Sequence, residues 1–406
     1  IKCSMSLLQL DIPEEEVIDR HVRRELISAI CQRTPTGTGR GQRSVPKGRP
    51  ISRTIGAQAI VEGASESVCQ QLGIPEHWAV RCEDAYHTGH DGTREALASR
   101  LDWLLEQRWM DNFSQKVAQL GSYGGGNHFG ECEVVEVGGD DRAKSIADTF
   151  GLQDGKLAFL SHCGSRGLGH KLASGQFKSL QGKFKSWDIP LPGGDRELVY
   201  APLGTPEANA YIDDMSLGAN FATVNHLLIN ALVLEAFQEV FPGAKGELVY
   251  FISHNIARRE VVDGKRAWVH RKGATRAFPG GHPALADTPF AMSGHPILLP
   301  GNPRDGSAVM VADPGAEKSC YSVNHGAGRI MGRKQAIRSL DQAVIDSELE
   351  QLDILSNCRQ YPRDEAPAAY KDFNEVLRSV KEAELASEVA RLKARFVIKD
   401  GSKADD

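Results

Sequence analysis

Two short apolar runs, residues 156–161 (KLAFLS) and 248–253 (LVYFIS), each stop directly at a histidine, His162 and His254. Runs of that length and content predict buried strands, and a strand end is a rigid place to mount a side chain. Residues 129–137 alternate in the strand manner immediately after His128. Helical spacing marks residues 219–240 and 365–395, where Phe373, Val376, Leu377 and Val380 fall on one face. Strands and helices do not alternate regularly, so the expected class is α+β: one large mixed domain with central β-sheets and flanking helices. The informative histidines run from the front of the chain to beyond position 320, which predicts a single catalytic domain over 1–399. A Gly/Pro-rich stretch at 278–303 reads as an inserted loop, and 400–406 as a frayed acidic tail.

Charge and cysteine content narrow the picture. With 406 residues and a formal net charge of -5, any nucleic-acid site must be local. Between residues 31 and 61 there is no acidic side chain, while Arg33, Arg40, Arg43, Lys47, Arg49 and Arg53 lie among Gly, Pro, Ser and Thr. That composition predicts a flexible basic loop, suited to phosphate contacts or simply solvated. The eight cysteines show no CxxC pair or disulfide-like spacing, which fits reduced thiols and a cytoplasmic protein. No run approaches the roughly 18 consecutive apolar residues of a membrane span.

The 41 glycines cluster beside histidines. Four motifs each offer one soft or borderline metal ligand: Cys3 in Ile1-Lys2-Cys3-Ser4-Met5, His128 after Gly124-Gly125-Gly126-Asn127, His162 in Ser161-His162-Cys163-Gly164, and His254 in Ser253-His254-Asn255. Imidazole and thiolate are the donors that hold transition-metal ions. Singly, a histidine at a strand end is more often a hydrogen-bonded structural residue and a cysteine a small buried hydrophobe. Together, they point to one or two bound ions. A fifth motif, Asn324-His325-Gly326-Ala327-Gly328-Arg329, joins a nucleophilic imidazole to glycines whose N–H groups can wrap an anion and to a guanidinium that can fork onto phosphate.

The ordered set GGGNHF, HCGSRGLGH, SHNIA, HRKGATRAFPG and NHGAGR resembles the RtcB family of RNA-splicing ligases over essentially the whole chain. The resemblance implies that family's mixed fold, with GTP and two Mn2+ ions as cofactors. It further implies joining of an RNA 3′-phosphate or 2′,3′-cyclic phosphate end to a 5′-hydroxyl end, in tRNA splicing or RNA repair; DNA 3′-phosphate ends are a further candidate partner, under the capping alternative below. By the same resemblance, Cys3 bridges two ions, His128 completes one site, and His162 with His254 completes the other. His325 becomes the guanylylated nucleophile. Asn127 contacts the nucleotide phosphates or metal, Glu131 and Lys399 read the guanine edge, and Tyr370 packs near the nucleotide. Ser307, Gly326 and Gly328 border the nucleotide, and Arg166, Lys272 and Arg329 contact phosphate. A carboxylate suits guanine because it accepts from N1–H and the amino group.

The match departs from the family pattern in places. The family carries an acidic residue just before the position of Ile1, and glycines where Lys2 and Ser4 stand. Pro300-Gly301-Asn302-Pro303-Arg304 replaces its Pro-Gly-Ser-Met-Gly, which passes the serine role to Ser307, and Asp400 intervenes between Lys399 and Gly401. Three other functions fit parts of the same residue set. They are an enzyme that guanylylates 3′-phosphate ends of DNA or RNA without sealing, a binuclear metallophosphatase, and an idle nucleic-acid-binding module.

Overall fold

Strands with apolar side chains on both faces build the centre of the molecule, and the computed structural model describes residues 1–37, 50–262 and 264–401. β1 (Ser4–Pro13), β2 (Phe129–Val137), β3 (Lys156–Cys163) and β4 (Gly246–Ser253) precede a hairpin of β5 (Asn255–Val262) and β6 (Lys265–Lys272). The short β7 (Ala274–Arg276), β8 (Pro296–Asn302), β9 (Gly306–Ala312), β10 (Ser322–Asn324), β11 (Leu355–Ser356) and β12 (Ala386–Lys399) follow. One sheet runs in the order β4-β1-β3-β2-β12-β9-β8 with β11 beside β12; β5 pairs with β6, and β7 with β10. The expected α+β class, a mixed fold with flanking helices, is what forms.

Period-2 alternation sends neighbouring side chains into separate cores. Leu8, Leu10 and Ile12 of β1, with Leu157 and Phe159 of β3, pack against a helical layer that includes Arg20–Arg33, Arg53–Glu62 and Pro206–Val240. Met5 and Leu7, with Ala158 and Leu160, face the opposite side together with Val309, Val311 and Leu392. The helix Pro206–Val240 starts where Thr205 Oγ1 accepts from Ala208 N at 3.2 Å and Pro206 opens the first turn. It is long and apolar enough to cross a membrane by length and composition, although no long run of consecutive apolar residues occurs in the sequence, and it is almost wholly buried in this fold. Its asparagines are working parts. Asn220 Oδ1 accepts from His87 N at 2.6 Å, Asn225 Oδ1 accepts from Gly121 N at 2.8 Å, and Asn230 Nδ2 donates to Ser6 Oγ at 3.0 Å.

Several boundaries differ from expectation. The helical reading of 365–395 holds only for Phe373–Glu382, whose Phe373, Leu377 and Val380 are buried. At Glu384 the backbone turns through φ +58°, and 386–399 is a strand in which Phe396 and Ile398 face the helical layer while Leu392 lies in the opposite core, a bulge between Ala394 and Phe396 separating them. The stretch read as an inserted loop ends in β8, an edge strand of the main sheet. Its prolines, Pro296 and Pro300, are tolerated there because an edge has ladder positions where no N–H is required. Of the basic segment, 31–33 finish one helix and Arg53 begins another, while Arg40, Arg43, Lys47 and Arg49 lie outside the described residues. Arg33 pairs with Glu239 at 2.5 Å and Arg53 lies over the Phe113 ring, so both are engaged within the fold. Asp400 is buried rather than frayed, and residues 402–406 lie outside the described residues. All eight cysteines are free thiols.

Candidate functional site

Strand register assembles the histidines. β1 lies between β3 and β4 with Ser4 opposite both Cys163 and Ser253, so Cys3, His162 and His254 meet at one end of three adjacent strands. Phe129 pairs with His162 across β2 and β3, which brings His128 to the same end. Cys3 Sγ lies 3.1 Å from His162 Nε2 and 3.5 Å from His128 Nε2, and His162 Nε2 lies 3.2 Å from His254 Nε2. Cys3, His162 and His254 form a group able to hold a metal ion, with ligand atoms all within 4.8 Å of one another. His162 Nδ1 donates to the Asn127 carbonyl at 2.9 Å, which leaves its Nε2 lone pair facing the cluster. Burial pushes the His128 pKa down to about 3 and holds His162 and His254 well below the usual imidazole range, so all three offer neutral nitrogens. Burial pushes the Cys3 thiol up to about 12, a bias that a bound cation reverses by favouring the thiolate.

His325 arrives by a different route. Asn255 pairs with Lys272 across the β5–β6 hairpin, and Ala274 pairs with Asn324 across β7 and β10. The connecting residue, Gly273, donates its N–H to the His254 carbonyl at 2.8 Å, and its own carbonyl accepts from His325 Nδ1 at 2.9 Å. Gly273 sits at φ +73°, a conformation that L side chains rarely adopt. The His325 ring centre lies 4.2 Å from that of His254. Burial lowers the His325 pKa, and the Nδ1 hydrogen bond fixes the tautomer that leaves Nε2 unprotonated. A neutral imidazole with one anchored nitrogen is an oriented nucleophile.

Beside the Cys3–His162–His254 cluster lies a cavity of about 220 Å³. Asn127, Glu131, Ser307, Gly326, Gly328, Arg329, Tyr370 and Lys399, expected from separate stretches of sequence, line it together with His162 and His325. Lys399 is opposite Phe129 and Val397 opposite Glu131 across β12 and β2, so both candidate base readers stand at the same edge. Burial pushes the Glu131 pKa up to about 8 against the pull of Lys399, and its Oε1 has no hydrogen-bond partner among the described residues. Arg329 Nη2 is likewise buried without a partner among them, while Nη1 reaches the Tyr370 hydroxyl at 3.2 Å. These two orphaned polar groups leave a donor and an acceptor for a polar ligand.

Two expected phosphate contacts, Arg166 and Lys272, lie outside the cavity lining, and within the glycine motif the Ala327 N–H donates to the Pro300 carbonyl at 3.0 Å. Arg166 stands near His128 rather than in the cavity: it donates to Gly37 O at 2.8 Å and Ser122 Oγ at 3.2 Å, and a Cβ at Gly124 would meet both His128 and Arg166. Lys272 is exposed on β6, outside the cavity lining. Glu365, Arg333 and Phe129 also line the cavity and were not singled out from sequence. Phe129 was visible as the residue after His128; Glu365 carries no local signal beyond its flanking prolines.

The comparisons agree with one another. A family model described as tRNA-splicing ligase RtcB matches residues 1–400. The chain is 34% identical over 411 residues to the tRNA-splicing ligase RtcB of Pyrococcus horikoshii, covering 98% of this chain and 44% of that relative. It is 33% identical over 412 residues to the Aeropyrum pernix protein of the same name, and 34% identical over 414 residues to that of Thermococcus kodakarensis. Each of those alignments covers 98% of this chain and 80% of the relative.

Proposed function

Because the chain belongs to the RtcB family, we propose that it is a GTP-dependent RNA ligase acting through a histidine–GMP intermediate. It would join 3′-phosphate or 2′,3′-cyclic phosphate ends to 5′-hydroxyl ends in the cytoplasm, in tRNA splicing or RNA repair. The observation that carries this reading is that His325 lines the same cavity as Glu131, Arg329 and Lys399, with His162 of the Cys3–His162–His254 cluster also in its wall. Cys3, His162 and His254 suit a transition-metal ion in donor type and spacing, with His128 Nε2 3.5 Å from the Cys3 sulfur, while the second ion and Mn2+ follow from the family resemblance. Bound ions supply positive charge that offsets the triphosphate and polarises phosphoryl oxygens.

In the first step, His325 Nε2 attacks the α-phosphorus of GTP and the bond to pyrophosphate breaks. The Gly273 carbonyl holds Nδ1–H throughout and stabilises the ring as positive charge develops. Glu131 and Lys399 select the base, and the aromatic face of Phe129 borders it. In the second step an oxygen of the RNA 3′-phosphate attacks the same phosphorus and releases His325. In the third, the 5′-hydroxyl oxygen attacks the RNA phosphorus, GMP leaves with its bond electrons, and the hydroxyl proton passes to solvent. A cyclic phosphate is opened by water beforehand.

The test is incubation with α-labelled GTP and Mn2+, followed by assay for an acid-labile label on the protein and for sealed RNA. Label without sealing on matched RNA and DNA ends would favour a capping enzyme. Absence of label would overturn the reading.

A further inference from the structure

Glu365 gathers one wall of the cavity onto a single carboxylate. It sits in the short turn Arg363–Glu365 between Pro362 and Pro367 and is 3% exposed. Its Oε2 accepts from Lys399 Nζ at 2.7 Å and from the Tyr370 hydroxyl at 2.9 Å. Its Oε1 faces Arg329 Nη1 at 3.5 Å and also pairs with Arg333. Burial works to raise its pKa, and the Lys399 and Arg333 cations outweigh that, holding the carboxyl below its usual range.

The geometry matters most at Lys399, an ammonium that is itself only 3% exposed. A lysine stem swings freely unless its head is tied, and a buried ammonium without a counter-charge is strongly disfavoured. Tied to Glu365, the head spends one of three N–H donors and keeps two for a ligand. A 6-oxopurine presents a carbonyl acceptor there, whereas adenine presents an amino donor that two N–H groups repel. Glu131 meets the other part of the base, the N1–H and the 2-amino group. Base reading thus divides between two carboxylates with different duties.

We propose that Glu365 is the positioning residue for base selection, fixing Lys399 so that the cavity takes 6-oxopurine nucleoside triphosphates. This inference rests on the guanylylation reading above. It also names the ligand class more finely: ITP, which keeps the 6-oxo group and the N1–H and lacks the 2-amino group, should be accepted ahead of ATP.

The experiment measures KM and kcat for protein labelling with GTP, ITP and ATP in the full chain and in Glu365→Gln, Lys399→Met and the double variant. Glu365→Gln should raise KM for GTP and ITP on the order of tenfold, leave kcat nearly unchanged, and narrow their preference over ATP to the part that Glu131 supplies. Lys399→Met should do the same, and the double variant should be no worse than Lys399→Met, because the two residues act as one unit. The double variant removes both buried charges, so it remains informative if the lone ammonium of Glu365→Gln prevents folding. Losses that multiply in the double variant, or a GTP-to-ATP ratio unchanged by Glu365→Gln, would overturn the proposal. A chain that takes no label in its unsubstituted form would instead sink the guanylylation reading, a separate result.

Discussion

Replacing Glu131 with Gln should change how folding stability responds to pH. The carboxyl is 3% exposed, and burial lifts its pKa from the ordinary 4.5 to about 8. A raised carboxyl favours the protonated form in the folded state, so its contribution to stability is fully present below pH 4.5. That contribution declines once the unfolded chain ionises and is gone above about pH 8. Between those limits the folded state holds about one extra proton, and the slope is about 1.4 kcal/mol per pH unit. From pH 5 to pH 7 the unsubstituted chain should therefore lose stability relative to Glu131→Gln, on the order of 2 kcal/mol. The buried histidines titrate in both proteins, so the subtraction removes them. Urea unfolding at pH 5, 6, 7 and 8 without nucleotide or metal measures the difference. Parallel stability profiles, or a chain that gains on the variant as pH rises, would refute the reasoning. The same proton has a functional readout. Guanine donors favour the ionised carboxylate, so GTP affinity should rise from pH 6 to pH 8 in the unsubstituted chain and stay flat in Glu131→Gln, which should also lose preference for GTP over ATP.

His325→Ala should take no label from α-labelled GTP while changing folding stability by no more than about 1 kcal/mol, read by denaturant titration and gel autoradiography. A labelled variant would exclude His325 as the nucleophile. Cys3→Ala should retain less Mn2+ than the unsubstituted chain after gel filtration and elemental analysis, because Cys3 stands between His128 and His162; equal metal content would remove it from the ligand set. Neutralising Arg40, Arg43, Lys47 and Arg49 together should weaken RNA binding and flatten its log–log salt slope by up to about 3, with labelling by GTP unaffected. An unchanged slope would make the segment a solvated surface.

The strands were legible because their signal is local. Residues 129–137 alternate, and 156–161 and 248–253 are short apolar runs ending at a histidine; each is a strand with the histidine where the pattern stops. The candidate ligands were legible as residue types, but their meeting was not, since it depends on β1 entering between β3 and β4 from far away in sequence. Only the family resemblance tied them together beforehand. Errors came where local signals mislead. Pro and Gly at 296–301 read as loop although an edge strand accommodates them, and the helical spacing of 373–380 was carried past the turn at Glu384. Glu365 was missed because its importance lies in four partners, of which Arg329, Arg333 and Lys399 lie more than 30 positions away. A lone acidic residue between prolines has no period or motif to betray it.

The asparagines of the long helix Pro206–Val240 bear on where the newly made chain goes as well as on how it packs. Targeting machinery meets this segment before any tertiary contact exists, and by length and composition it could pass for a lipid-spanning one. In hydrocarbon, Asn220, Asn225 and Asn230 would carry side-chain amides with few partners, each a penalty against partition. In the fold, the loops bind the amides of Asn220 and Asn225, and Ser6 on β1 accepts from Asn230 Nδ2. Leucine at these three positions would do more than unpick the loops: it would tilt the segment toward the translocon, exchanging a folding defect for a sorting one.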